Sequence, residues 1–158
     1  MKAMPTLEGG LRVDAENSHD WAVLRSIVAD AGAVNGVDLA SRLGALISEE
    51  AGAEDWEEYV VPDLREGFQD ELAQVGANIE SAIFEVGGEP GPIWISREDA
   101  TAWYSSLNQA RLAIEEHFKF GASEEIDIQS LNPEHQAVFI RSKFYCAIQS
   151  LLLKYVMK

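Results

Sequence analysis

Residues 96–114, SREDATAWYSSLNQARLAI, constrain the fold more than any other stretch of this chain. Just ahead of them Pro92-Ile93-Trp94-Ile95 alternates like a short strand. Ser96 stands three residues before Asp99, the spacing at which a hydroxyl caps a helix while a carboxylate answers from the third helical position. The spacing predicts a helix beginning near Arg97. Trp103, Leu107, Ala110, Ile114 and Phe118 then recur every three or four residues, so they share one face of a helix, and that face is core.

An echo of this unit lies near the N-terminus. Leu11-Arg12-Val13-Asp14 alternates as Ile93-Trp94-Ile95-Ser96 does, Asp14 takes the capping place, and in the same register Glu16 aligns with Glu98 and Trp21 with Trp103. The helix that follows carries Trp21, Leu24, Ile27, Val28 and Ala31 on its inner face. Two strand-then-helix units of this kind can pair their short strands.

Helical patterns over residues 15–31, 37–48, 63–86, 97–118 and 133–156 make five helices in all. The run at residues 32–36 breaks the first pair, Gly87-Gly88-Glu89-Pro90-Gly91-Pro92 separates the third helix from the second strand, and Asn132-Pro133 is a cap followed by proline at the first helical position. Leu64, Phe68, Leu72, Val75, Ile79 and Ile83 form one stripe. Pro62 argues against residues 55–61 joining that helix without a kink, so a short helix or turn is expected there. The last helix is apolar on two sides: Ala137, Ile140, Phe144, Ala147, Ile148, Leu151, Leu152 and Tyr155 mark one face, and Phe139, Cys146 and Leu153 recur at seven-residue spacing on another. Such a helix is central to a bundle or contributes to a subunit interface. The expected architecture is mainly α, a five-helix, bundle-like single domain over residues 1–158 with a small two-stranded β element.

The helix pattern WYSSLNQARLAI, with the N-terminal strand-helix unit and the large apolar residues of the last helix, resembles the bacterial family known as domain of unknown function 2017. The resemblance implies a small cytoplasmic helical protein without established enzymatic activity. Some actinobacterial relatives are described as redox-responsive transcriptional regulators, and the family is associated in context with an adaptor of the Clp protease. A two-cysteine redox switch does not carry over, because Cys146 is the one cysteine of this chain.

Charge bounds the partners. The formal net charge is −15, which repels duplex nucleic acid and anionic membrane unless basic residues are segregated. Residues 44–95 hold thirteen acidic residues against Arg65 alone, whereas residues 136–158 hold Arg141, Lys143, Lys154 and Lys158 and no acid. No apolar run reaches membrane-span length and the first ten residues lack a secretory pattern, so a cytoplasmic protein without membrane contact is expected, and direct nucleic-acid binding is disfavoured.

No catalytic constellation is legible. Glu16 and His19 have the spacing of half a di-iron carboxylate site, but the echoed unit offers Thr101 where a second histidine belongs, and His117 and His135 lack zinc-ligand neighbours. Neither a nucleophile elbow nor a phosphate loop is present. No metal and no cofactor is expected. Beside the apolar face of the Ser96 helix, Tyr104, Asn108, Arg111 and Glu115 share an edge. They form either a polar pocket, in which Arg111 receives a carboxylate or phosphate, or an internal network with Arg111 and Glu115 as an i, i+4 pair. Glu54, Asp55, Glu57 and Glu58 cluster around Trp56 and Tyr59, either as a docking patch for a basic protein or as a solvated face. Phe139, Cys146 and Leu153 offer a homodimer surface. The functional expectation is a non-enzymatic protein-interaction or regulatory module with a basic protein partner. Its alternatives are a redox- or stress-linked transcriptional regulator and an enzyme whose site is invisible as a linear motif.

Overall fold

A computed structural model describes residues 1–47, 52–84 and 87–158. The expected helix ends at Ser48 and at Glu85-Val86 lie outside the described residues. The described residues are mainly helical, with five longer helices, a one-turn helix and a small antiparallel sheet of three strands, β1 (Lys2–Pro5), β2 (Leu11–Asp14) and β3 (Ile93–Ile95), in that spatial order.

The two expected strands pair with each other. Leu11 faces Ile95, Arg12 faces Trp94 and Val13 faces Ile93. Alternation sorts their side chains: Leu11, Val13, Ile93 and Ile95 enter the core, while Arg12 holds its guanidinium 5.2 Å from the centre of the Trp94 ring on the outer face. A two-stranded element was expected, and β1 corrects that. Lys2–Pro5 is mostly exposed and lacks apolar alternation, so its strand character comes from pairing with β2, which a local pattern does not reveal. The β1–β2 turn requires Gly10, since a Cβ there would lie 2.6 Å from the Ile95 carbonyl oxygen.

Helix α1 (Ser18–Asp30) is capped by Asn17, whose side chain accepts the Asp20 N–H, while the Asp20 carboxylate accepts the Glu16 N–H. The cap therefore sits three residues beyond Asp14, which instead receives the Arg12 guanidinium. Helix α2 (Leu39–Ala45) is capped by Asp38. The one-turn α3 (Ala53–Asp55) runs through a π turn, Trp56–Val60, into α4 (Val61–Ile83). The Val61 N–H bonds five residues back to the Trp56 carbonyl, so the helix widens where Pro62, without an N–H, enters its first turn.

Helix α5 (Ala100–Phe118) packs on α1, α4 and α6 (Pro133–Tyr155), and it, rather than the last helix, holds the central position. The Ser96–Asp99 cap forms as its spacing requires: the Ser96 hydroxyl accepts the Asp99 N–H at 3.1 Å and the Asp99 carboxylate accepts the Ser96 N–H at 3.3 Å. Regular helix begins at Ala100. Trp103, Leu107, Ala110 and Ile114 are buried as the periodicity demands. Ala100, Ala102, Ser106 and Ala113 are buried as well, and these small side chains let neighbouring helices approach on other sides.

The phase of α6 differs from expectation. Val138, Phe139, Tyr145, Ile148, Gln149 and Leu152 point inward, while Ala137, Ile140 and Ala147 are exposed. Two polar groups explain the rotation. Tyr145 donates its hydroxyl to Asp30 at the end of α1 at 2.6 Å, and Gln149 bonds to α5, so both turn toward the interior. Asp30 also takes both arms of Arg141, at 2.8 and 2.9 Å, which ties α6 to α1 across more than a hundred residues of chain. Burial, and then the bond to Asp30, holds the Tyr145 phenol well above the ordinary tyrosine range.

Candidate functional site

Two candidates that are separate in sequence converge in one cleft. Asn108, Arg111 and Glu115 from α5, Phe139 and Cys146 from α6, and Phe120 and Gly121 from the loop between them line a cleft of about 330 Å³. The loop after α5 shapes it. Lys119 and Gly121 take left-handed conformations, at φ of 51° and 74°, and the chain reverses sharply enough for Phe120 to stack on Phe118 and meet Phe139 edge-on at 5.5 Å. Glu115 fixes that turn by accepting the Gly121 N–H at 2.9 Å.

Glu115 therefore does not serve Arg111, although their spacing suggests an ion pair. Arg111 donates to the Gln149 side-chain oxygen at 2.5 Å, and Gln149, itself buried, donates to the Tyr104 carbonyl at 3.2 Å. Among the described residues no carboxylate pairs with Arg111. Tyr104 contributes its backbone to this bridge and does not line the cleft. Lys143, one turn beyond Phe139, holds its ammonium 5.5 Å from the centre of that ring. Leu112 also lines the cleft, as do the four residues Lys143, Ser142, Ser123 and Phe120. The sequence reading singled out none of these four for the site. Their only local signal is the Phe139-to-Lys143 spacing, which places a cation above a ring on one helix face.

Of the proposed α6 interface, Phe139 is buried beneath Phe120, Cys146 is half-buried at the cleft, and Leu153 is exposed on the outside. The three do not form one free stripe. Exposed apolar surface on α6 lies instead around Ala137, Ile140 and Phe144, which with Val23 of α1 border a groove of about 410 Å³.

The acidic arm is the second candidate. Glu54, Asp55, Glu57 and Glu58 are exposed along α3 and the π turn, and Asp63, Glu66 and Asp70 continue the series on α4. The single basic residue among them, Arg65, is already held by Asp38 at 2.6 Å and by Ser41 at 2.9 Å. That bond, above all, pulls the Asp38 carboxyl down to about 2. Among the described residues the seven carboxylates make no ion pair. The two aromatics of the arm differ. Trp56 is half-buried against α2, where a Cβ at Gly44 would come within 3.8 Å of its ring, and its enclosed indole N–H has no acceptor among the described residues. Tyr59 stands 64% exposed, and Leu46 beyond the end of α2 is 79% exposed.

Glu16, half of the di-iron spacing, pairs with Lys2 at 2.7 Å, while His117 and His135 lie edge-on to Phe118. Among the described residues no group of three or more His, Cys, Asp and Glu is placed to hold a metal ion, and no helix is long and apolar enough to cross a membrane. A family model described as Domain of unknown function (DUF2017) matches residues 1–156. No curated protein and no solved structure matches the chain. The chain belongs to the DUF2017 family.

Proposed function

We propose that this member of the family is a non-enzymatic protein-interaction module, bundle-like in arrangement, that docks a basic protein on its acidic arm. The observation that carries the reading is the lack of internal compensation: Arg65, the cation of the arm, is already held by Asp38 and Ser41, and the surrounding carboxylates have no cationic partner among the described residues. Unpaired like charges repel one another by a few tenths of a kcal/mol per close pair, a cost that an approaching cationic surface removes. Tyr59 and Leu46 supply apolar area that a docked partner can desolvate. Tyr59 lies within the π turn and is exposed.

The experiment is affinity capture from the native cell with the wild-type chain and with Glu57→Lys/Glu58→Lys, followed by titration of each purified candidate. A basic protein held by the wild type and lost by the variant is expected. Partners retained equally by both would reject the arm as the docking surface.

Self-association is the second reading, favoured by the exposed Ile140 of α6 beside Phe144. Light scattering at micromolar concentration separates a dimer from a monomer, and Ile140→Glu should dissociate a dimer built on that face.

A further inference from the structure

The cleft between α5 and α6 is built unlike the rest of the surface. The chain carries 27 acidic residues against 12 Lys and Arg; Arg12, Arg25, Arg65 and Arg141 each meet a carboxylate, whereas among the described residues Arg42, Arg97 and Arg111 form no ion pair with one. Arg111 meets a neutral amide instead. A guanidinium has five N–H donors in a planar fork that matches a carboxylate in two parallel bonds. Gln149 takes one of them and fixes the group from the interior side. Glu115, the acid that could have filled the fork, is committed to the Gly121 N–H.

Lys143 brings a second cation to the same lining from the opposite helix. With Glu115 counted, the cleft is positive by one unit, which matches a monoanion better than a phosphate monoester bearing about two charges at neutral pH. The remaining lining is mixed: Asn108, Ser123, Ser142 and Cys146 are polar or small, and Leu112, Phe120 and Phe139 are apolar. Phe120, half-buried, stacked on Phe118 and edge-on to Phe139, brings an aromatic ring to the lining that also holds the cations. A volume of about 330 Å³ is at the small end of ligand pockets.

We propose that this cleft binds a small aromatic monocarboxylate, its carboxylate received by Arg111 and Lys143 and its ring laid against Phe120. The site is independent of the acidic arm.

Benzoate is the probe, followed by calorimetry and by amide chemical shifts of the full chain. Saturable binding is expected, with shifts concentrated at Arg111, Gly121, Ser142 and Lys143. Acetate, lacking the ring, should bind about tenfold more weakly, and Arg111→Gln should weaken benzoate by at least about tenfold. Lys143→Gln, at an exposed position, should weaken it several-fold without moving the unfolding midpoint, and this variant with the shift map decides the matter should Arg111→Gln fail to fold. Glu57→Lys/Glu58→Lys should leave benzoate affinity unchanged, so failure of the docking reading and failure of this one are distinguishable. Absence of saturable binding, affinity indifferent to both cleft substitutions, or inorganic phosphate binding there more tightly than benzoate would overturn the proposal.

Discussion

On the α1–α5–α6 side of the molecule, Asp30, Arg111, Arg141, Tyr145 and Gln149 end on partners from other helices, whereas on the arm leading into α4 the carboxylates are exposed. Asp30 receives Arg141 and Tyr145, and Gln149 bridges Arg111 to the Tyr104 carbonyl. Glu57, Glu58, Asp63, Glu66 and Asp70 are exposed and unpaired by any cation among the described residues. A polar group turned inward must be satisfied, so it fixes helix phase and position. One left outside adds little to stability and keeps its field available to a partner. The first region is where substitutions should unfold the protein, and the second is where they should change what it binds.

The sharpest way to break this contrast is by truncation on each side. Trp103→Ala removes a side chain that is 1% exposed and donates its indole N–H to Asn78 of α4 at 3.2 Å. It should cost about 3–5 kcal/mol in denaturant unfolding. Tyr59→Ala should fall within about 0.5 kcal/mol of wild type. Comparable losses at the two sites would dissolve the distinction.

Next in size is Asp30→Ala, which leaves Arg141 and the Tyr145 hydroxyl unpartnered in a largely buried setting. A loss of about 2–4 kcal/mol is expected. Tyr145→Phe removes one bond and leaves the Arg141 pair, and should cost about 1–2 kcal/mol. Equal losses from the two substitutions would mean that Arg141 contributes nothing to the anchor.

Acid titration resolves the one well-paired carboxylate beside the arm. The Arg65 guanidinium holds the Asp38 carboxyl below its ordinary value, at about 2. A depressed folded-state value means that its contribution is complete above about pH 4 and is lost as pH falls toward 2. Asp38→Asn should flatten the stability profile in that window, and a profile unchanged by it would contradict the Arg65 pairing.

How much of this was legible follows from where each feature gets its energy. Helix α5, the Ser96–Asp99 cap and the pairing of β2 with β3 rest on local periodicity and capping chemistry, which the residues spell out directly. Strand β1 draws its order from β2, and the phase of α6 is set by Asp30 and α5, so neither is encoded in its own segment. The Asn17 cap displaced the expected Asp14, because Asp14 is engaged by Arg12 within the strand. The Tyr104–Asn108–Arg111–Glu115 edge and the Phe139–Cys146 side were each visible as helix faces. Their meeting in one cleft depends on the reversal at Lys119 and Gly121, of which the glycine suits a left-handed turn by type and the lysine does not.

The smallest effect on stability should carry the largest functional one. Glu57→Lys/Glu58→Lys should shift unfolding by less than about 0.5 kcal/mol, since both residues are exposed and unpaired. The most direct measurement is the association rate of the purified basic partner with wild type and with this variant over a series of salt concentrations. The rate for the wild type should fall steeply as salt rises, and the variant should associate slowly with little salt dependence. Equal rates and equal salt dependence for the two proteins would contradict the assignment of the acidic arm as the docking surface.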